Sequence, residues 1–333
     1  MISQASLNQL FTDFNKLKVM IIGDVMVDSY YWGKVDRISP EAPVPIVAVT
    51  KKESRMGGAA NVALNIQALG ATPLLCSVIG DDEEGQEFLA LVAKNEQSTA
   101  GILPSTERKT TKKTRIIGNN AQMLRVDAED LHPLAAAEEE AFLKRIESLL
   151  EQEKVDAIIF EDYDKGVITP SVIKAVVKMA KTKGIPTTVD PKKQNFLNFH
   201  EVDLFKPNLK ELKEGLKIDL DKQDIEALKA AIVKLKALLK HDKTLITLSE
   251  NGVYAHDSSE AHHIAAHHRD IADVSGAGDT VISVATLCLA LKQPLQFIAE
   301  LANLAGGLVC ENVGVVPIDK AHLKEEAEKL LVV

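Results

Sequence analysis

The chain has 333 residues, 46% of them hydrophobic, and a formal net charge of −9. That balance excludes a basic nucleic-acid-binding surface, and the lack of any run of roughly 18 apolar residues excludes a transmembrane helix. Cys76, Cys288 and Cys310 are widely spaced within apolar runs, which reads as buried thiols in a cytoplasmic protein rather than disulfides or zinc ligands.

In chain order, Leu7, Leu10, Phe11 and Phe14 recur at helical spacing and predict a short amphipathic helix. Residues 18–22 form an apolar strand ending at Gly23-Asp24, which puts Asp24 at the strand edge where open α/β sheets bind ligands. Residues 30–34 and 45–50 are short β-rich pieces with no crossover helix between them, so they should leave the main sheet. Gly57-Gly58 is expected to open a helix through Leu69, ended by Gly70. Asn61 in its first turn is either a cap or a hydrogen-bonding group for a hydroxylated ligand. After a strand at 74–79 and a helix at 83–94, residues 110–127 alternate around Gly118-Asn119-Asn120 and predict a hairpin. Lys109, Lys112, Lys113, Arg115 and Arg125 give this region a basic excess. It could hold a phosphate monoester, or be a solvated edge charged against strand pairing.

Residues 135–151 and 170–181 read as helices, and 157–160 as a buried strand ending in Glu161-Asp162-Tyr163-Asp164-Lys165-Gly166. A strand at 187–189 leads into Asp190-Pro191-Lys192-Lys193. Asn208 and Glu211, three apart on a helix, share a face and could orient hydrated Mg²⁺, or simply form a capping box. Residues 245–249 and 252–255 form a strand, turn and returning strand. His262, His263, His267 and His268 have no Cys or carboxylate at ligand spacing and read as solvated strand-edge residues rather than a metal site.

Residues 271–280, Ile-Ala-Asp-Val-Ser-Gly-Ala-Gly-Asp-Thr, precede an apolar run and look like a loop feeding a helix N-terminus. The backbone at Gly276, Ala277 and Gly278 is open to an anion, and Asp279 in the first turn could take a proton from an attacking hydroxyl. An ordinary helix start is the competing reading. There is no G-x-x-x-x-G-K-[ST], and Val281 stands where a dinucleotide fingerprint wants its third glycine, so neither a P-loop nor a dehydrogenase follows. Two apolar helices separated by Pro294 and a charged helix at 320–331 complete the pattern.

Asp273-Val274-Ser275-Gly276-Ala277-Gly278-Asp279-Thr280, together with Gly57-Gly58-Ala59-Ala60-Asn61-Val62-Ala63, resembles the two signatures of the ribokinase-like (PfkB) sugar kinases. Gly23 to Asp28 and Arg37 to Pro45 resemble one branch, the kinases of D-glycero-β-D-manno-heptose 7-phosphate. The resemblance implies a three-layer αβα sandwich in a single domain, with a mainly parallel sheet. It also implies a small β lid from about residues 28–50 and 109–127, which in such kinases often makes a homodimer contact. It further implies transfer of the ATP γ-phosphoryl group to the C1 hydroxyl, giving the 1,7-bisphosphate on the route to ADP-heptose and the lipopolysaccharide core.

By the same resemblance Asp279 is the base and Gly276, Ala277 and Gly278 form the anion hole. Asp24, Asp28, Asn61, Gly57 and Gly58 meet the sugar. Arg37, Lys113, Arg115 and Arg125 are the candidates for its phosphate, with Lys165 or Lys192 as substitutes. Asn208, Leu209, Lys210, Glu211, Thr247, Ser249, Gly252 and Asn303 meet the nucleotide, Glu211 reaching Mg²⁺ through water. Asp273 and Ser275 stand where a monovalent cation such as K⁺ would bind. The branch usually has a small residue where Glu161 stands. Some relatives carry a fused nucleotidyltransferase with a His-x-Gly-His signature; none occurs here, so a kinase alone is expected, with a separate nucleotidyltransferase acting later. Another sugar kinase, for ribose, fructose or a nucleoside, would need Asp279 but not the 37–45 match. A non-catalytic sugar- or nucleotide-binding regulator would not need Asp279 at all.

Overall fold

A computed structural model describes residues 2–332 except Lys222, Gln223 and His268, so the reading of His268 lies outside the described residues. The strands are β1 (Lys18–Gly23), β2 (Val25–Ile38), β3 (Pro45–Gly58), β4 (Thr72–Gly80), β5 (Gly101–Ser105), β6 (Lys112–Gly118) and β7 (Ala121–Ala128). They continue as β8 (Ala157–Glu161), β9 (Thr187–Asp190), β10 (Leu204–Phe205), β11 (Lys243–Thr247), β12 (Val253–His256) and β13 (Ala261–Ile264). The helices are α1 (Gln4–Asp13), α2 (Ala59–Ala68), α3 (Glu83–Lys94), α4 (Ala136–Gln152) and α5 (Pro170–Lys183). After them come α6 (Leu209–Leu216), α7 (Ile225–Leu239), α8 (Ala277–Ala290), α9 (Leu295–Val309) and α10 (Lys320–Leu331).

Nine strands make one sheet in the order β13-β12-β11-β10-β9-β8-β1-β4-β5. It is parallel from β5 to β11, and β12 and β13 close it antiparallel. Alternation explains why both faces are covered. Val19 and Ile21 of β1 enter a core shared with α1, α2, α3, α8, α9 and α10, while Met20 and Ile22 enter one shared with α4 to α7. This is the three-layer sandwich expected. The three cysteines are buried free thiols, and burial pushes that of Cys76 up to about 12. No described helix is long and apolar enough to cross a membrane.

The second sheet, β3-β2-β6-β7, stands where the lid was expected, over residues 25–58 and 112–128 rather than 28–50 and 109–127. Its first two strands are 14 residues each, not short pieces. Polar residues 51–55 hide the strand from a hydrophobicity reading, and cross-strand partners supply the pairing instead. The expected hairpin joins β6 and β7, with Asn119 (φ 52°) and Asn120 (φ 64°) in the left-handed region that such turns require. Gly57 and Gly58 end β3, and Gly58 is at the same time the N-cap that opens α2, as expected. Gly58 has φ 61°, and a Cβ there would lie 2.4 Å from the Asp24 carbonyl oxygen, so only glycine makes this corner.

Candidate active site

The C-terminal edges of β1, β8 and β9 meet the N-terminus of α8, so Asp24, Glu161, Asp190 and Asp279 come from four distant stretches to one end of the sheet. This is where open parallel sheets place their ligands. Gly276 precedes α8 with φ 81° and Asp279 lies in the helix's first turn, 6% exposed. The carboxylate of Asp279 accepts a hydrogen bond from Asn61 Nδ2 at 2.6 Å and another from the Tyr163 hydroxyl at 2.9 Å. Burial raises its pKa to about 6, against the lowering effect of those donors. Asn65 accepts from the Thr280 hydroxyl and the Ile318 amide, fixing α2 against the start of α8.

Across from this helix end, Lys206 Nζ lies 2.8 Å from Asp190 Oδ2, and Lys192 Nζ lies 3.5 Å from Asp190 Oδ1 and 2.6 Å from Glu211 Oε1. Burial would raise the Asp190 pKa, but the two ammonium groups outweigh it and hold the carboxyl below its usual range. A Cβ on Gly278 would meet Asp190 Oδ2 at 3.5 Å and Lys206 Nζ at 3.7 Å, so the glycine loop faces this pair directly. Backbone amides at a helix start, two lysines and a buried carboxylate together have the chemistry to seat a phosphoryl group beside a proton acceptor. Tyr163, Asp190 and Lys206 were given no role by sequence reasoning. Their available signal was polar residues clustered at strand C-termini.

Asp24 does not face the cleft. Its carboxylate accepts from the amides of Tyr163, Lys165 and Val167, so it holds the loop carrying Tyr163 in place. Asp28 accepts from Arg115 Nη1 at 2.5 Å and packs against Gly57, where a Cβ would sit 2.2 Å from Asp28 Oδ2. Arg115 also lies over the Tyr30 ring, as does Arg55, which donates to the Val315 carbonyl. Arg125 is cross-strand from Arg115 but is gripped by both oxygens of Asp127. Arg37 is exposed near the far end of β2, nine residues and about 30 Å along the strand from Asp28. The structure does not bring it to the other three. Lys113 is different: half-buried, it has no ion-pair partner among the described residues. Burial and then the Lys165 ammonium hold it below the ordinary lysine range, whereas Lys165 itself is 2.8 Å from Glu129.

Among the residues expected to meet the nucleotide, Asn208 caps α6 by accepting from the Glu211 amide, and Glu211 Oε2 accepts from the Asn208 amide. The capping box is therefore real. Both Glu211 oxygens are engaged, one by this amide and one by Lys192, which suits contact with a cation through water rather than direct ligation. A bridge pairs Asn208 with Thr247, bringing those two segments together. Leu209 begins α6, and Lys210 is exposed 3.8 Å from Glu214. Ser249 (φ 53°) and Gly252 (φ 83°) form the β11–β12 turn. Asn303 donates to the Ala265 carbonyl, anchoring the loop beyond β13 to α9. Asp273 accepts from the amides of Ser275 and Gly314, closing the loop ahead of Gly276.

This fold is that of the ribokinase-like sugar kinases. The chain belongs to the pfkB family of carbohydrate kinases, whose pattern matches residues 16–321. It is 41% identical over 310 residues to the bifunctional protein HldE of Methylobacillus flagellatus, covering 93% of this chain and 63% of that one. It is 39% identical to HldE of Wolinella succinogenes, covering 92% of this chain and 64% of that protein. It thus spans less than two thirds of these curated relatives' length. Among solved structures, phosphofructokinase-2 from Escherichia coli in complex with potassium superposes with a TM-score of 0.76 at 19% identity, covering 93% of this chain and 97% of the other. Ribokinase from Arabidopsis thaliana complexed with ribose and ATP gives 0.70 at 15%, covering 93% and 98%.

Proposed function

We propose that this chain transfers the γ-phosphoryl group of ATP to the anomeric hydroxyl of D-glycero-β-D-manno-heptose 7-phosphate. The observation that carries the sugar-phosphate reading is Lys113, an ammonium without a carboxylate partner in a protein of net charge −9, beside the lid base that also holds Asp28 and Arg115. An anionic group on the substrate would supply the missing partner. Relatives sharing 35–41% of their residues with the chain carry the name HldE, which supports the branch assignment.

In this mechanism Asp279 accepts the proton of the attacking hydroxyl as its oxygen bonds to the γ-phosphorus, and ADP leaves. Asn61 and the Tyr163 hydroxyl orient the carboxylate. The amides at the start of α8 and the ammonium groups of Lys206 and Lys192 offset charge on the transferring group. Mg²⁺, when bound, neutralises the nucleotide phosphates; Glu211 would reach it through water. Asp273 and Ser275 would support a monovalent cation beside the loop. A cytoplasmic setting completes the reading. Exposed Ile38, Val49, Met123, Leu124 and Val126 on the lid strands suit a homodimer through that sheet.

The test is Lys113→Ala assayed with heptose 7-phosphate, unphosphorylated heptose, fructose and ribose. Loss of one charge-assisted contact should raise KM for the sugar phosphate about tenfold or more and leave KM for ATP unchanged. Equal turnover of unphosphorylated sugars by the parent enzyme would favour another sugar kinase of the family. No ATP consumption with any sugar would favour a binding protein.

A further inference from the structure

The sugar-kinase reading leaves one buried carboxylate without a task. Glu161 ends β8, is fully buried, and neither of its side-chain oxygens has a hydrogen-bond partner. Its backbone is held in the sheet: the Asp24 amide donates to its carbonyl, and Gly23 lets the two backbones approach so closely that a Cβ there would lie 2.1 Å from that same oxygen. The side chain is aimed into the cleft. One oxygen each from Glu161, Asp190 and Asp279 lie within 4.8 Å of one another.

A buried ionised carboxylate is tolerated when donors, a basic side chain or a cation compensates it. Donors are absent at Glu161. The nearest basic groups are committed elsewhere, Lys206 to Asp190 at 2.8 Å and Lys192 to Glu211 at 2.6 Å. Four carboxyl groups, Glu161, Asp190, Glu211 and Asp279, face two ammonium groups, and repulsion from Asp190 and Asp279 adds to burial in opposing the ionisation of Glu161, a cost that a divalent ion among them would relieve. Three oxygens within 4.8 Å of one another share a point no more than about 2.8 Å from each, so a small shift of side chains brings them to the roughly 2.0–2.5 Å bond length of hard divalent cations to oxygen.

We propose that Glu161 and Asp190, with Asp279 at the edge, form a direct site for a divalent cation of the Mg²⁺ or Mn²⁺ type, filled before nucleotide binds. Glu161 and Asp190 Oδ1 provide the free lone pairs; Asp279 is already tied to Asn61 and Tyr163 and completes the set as the weaker ligand. The site is separate from the water-mediated position at Glu211, whose oxygens are both engaged. It makes Glu161 the residue by which this chain would hold a metal without help from the nucleotide phosphates.

The experiment uses the whole protein, stripped with chelator and free of nucleotide and sugar. Mn²⁺ is titrated while free hexaaquo Mn²⁺ is followed by electron paramagnetic resonance, and melting temperature is recorded with and without Mn²⁺. The parent should bind one Mn²⁺ tightly and melt higher with it. Glu161→Gln, close in shape, should weaken binding by roughly tenfold or more and abolish the melting shift while still folding, whereas Glu211→Gln should change binding less than about threefold. No Mn²⁺ bound by the parent, or equal binding by Glu161→Gln, overturns the site. So does loss of binding in Glu211→Gln alone. Because no sugar or ATP is present, failure here leaves the kinase reading untouched, and failure of the kinase reading leaves the metal result standing.

Discussion

Replacing Asp279 with Asn separates catalysis from stability at one residue. Burial moves the Asp279 pKa from an ordinary 3.8 to about 6, so the folded state binds its proton more readily than the unfolded chain does. The sign follows: stability is lost as pH rises from near 3.8 to about 6, and above that the ionised carboxylate costs the folded protein about 3 kcal/mol. The amide removes this cost. The Asn61 side-chain oxygen has no partner, so rotating that amide lets it accept from the new NH₂ group, while the Tyr163 hydroxyl donates to the new carbonyl. At roughly 2 cal/mol/K of unfolding entropy per residue, 333 residues convert 3 kcal/mol into a melting point about 4 °C higher at pH 8. The gain should shrink as pH falls from 6 to 4. Turnover should fall by roughly 10²–10⁴-fold, the usual worth of a positioned base. Calorimetry at pH 4, 5, 6 and 8 and initial rates at pH 8 measure both effects. A variant that melts no higher than its parent at pH 8 would refute the electrostatic reasoning, and one with near-normal turnover would move the base elsewhere.

In the parent enzyme kcat/KM should fall about tenfold per pH interval below about 6. Tyr163→Phe removes a donor to the ionised carboxylate and should move that midpoint upward, which a pH series on both proteins reads directly. Gly278→Ala has room for its Cβ, but the γ-methyls of Gly278→Val would press on Asp190 and Lys206; turnover of the valine variant should drop at least about 10²-fold with the melting point little changed. Lys206→Met leaves the fully buried Asp190 carboxylate with the more distant Lys192 alone. Urea unfolding should show a loss of about 3–5 kcal/mol.

The layered fold was legible because its strands carry continuous apolar runs with polar residues gathered at one end, and because Gly276 to Asp279 sits before an uninterrupted apolar helix. The lid was half legible. Residues 112–128 alternate around an Asn-Asn turn that suits a hairpin, but β3 continues through Lys51-Lys52-Glu53-Ser54-Arg55, where hydrophobicity carries no signal: Lys51 and Arg55 pair with Glu53 along the strand, and Lys52 and Arg55 lie over Tyr31 and Tyr30 of β2. Within the site, Asp279 and Asn61 could be named because each stands in a glycine-led helix start. Asp24 sat in an equally suggestive place yet turned its carboxylate onto three loop amides, a choice that depends on where residues 163–167 go. Tyr163, Asp190 and Lys206 come together only through the pairing of β8, β9 and β10, which no local pattern announces.

Asp190 and Asp279 show why the site needs its full three-dimensional environment. Both are almost wholly buried, at 4% and 6% exposure, and both lie at the same sheet edge, Asp190 ending β9 and Asp279 in the first turn of α8, so burial alone would treat them alike. Asp190 has two ammonium groups against it and stays ionised below the usual range. Asp279 has only neutral donors in contact, an amide and a phenol, and rises to about 6. A carboxylate that two cations keep anionic is a poor acceptor for a hydroxyl proton; one held by neutral donors near pH 6 is suited to take it and to release it again near neutrality. The lysines therefore assign the roles. In the proposed mechanism they keep Asp190 as fixed negative charge beside the phosphoryl seat, and by standing on that side of the cleft they leave Asp279 free to act as the base.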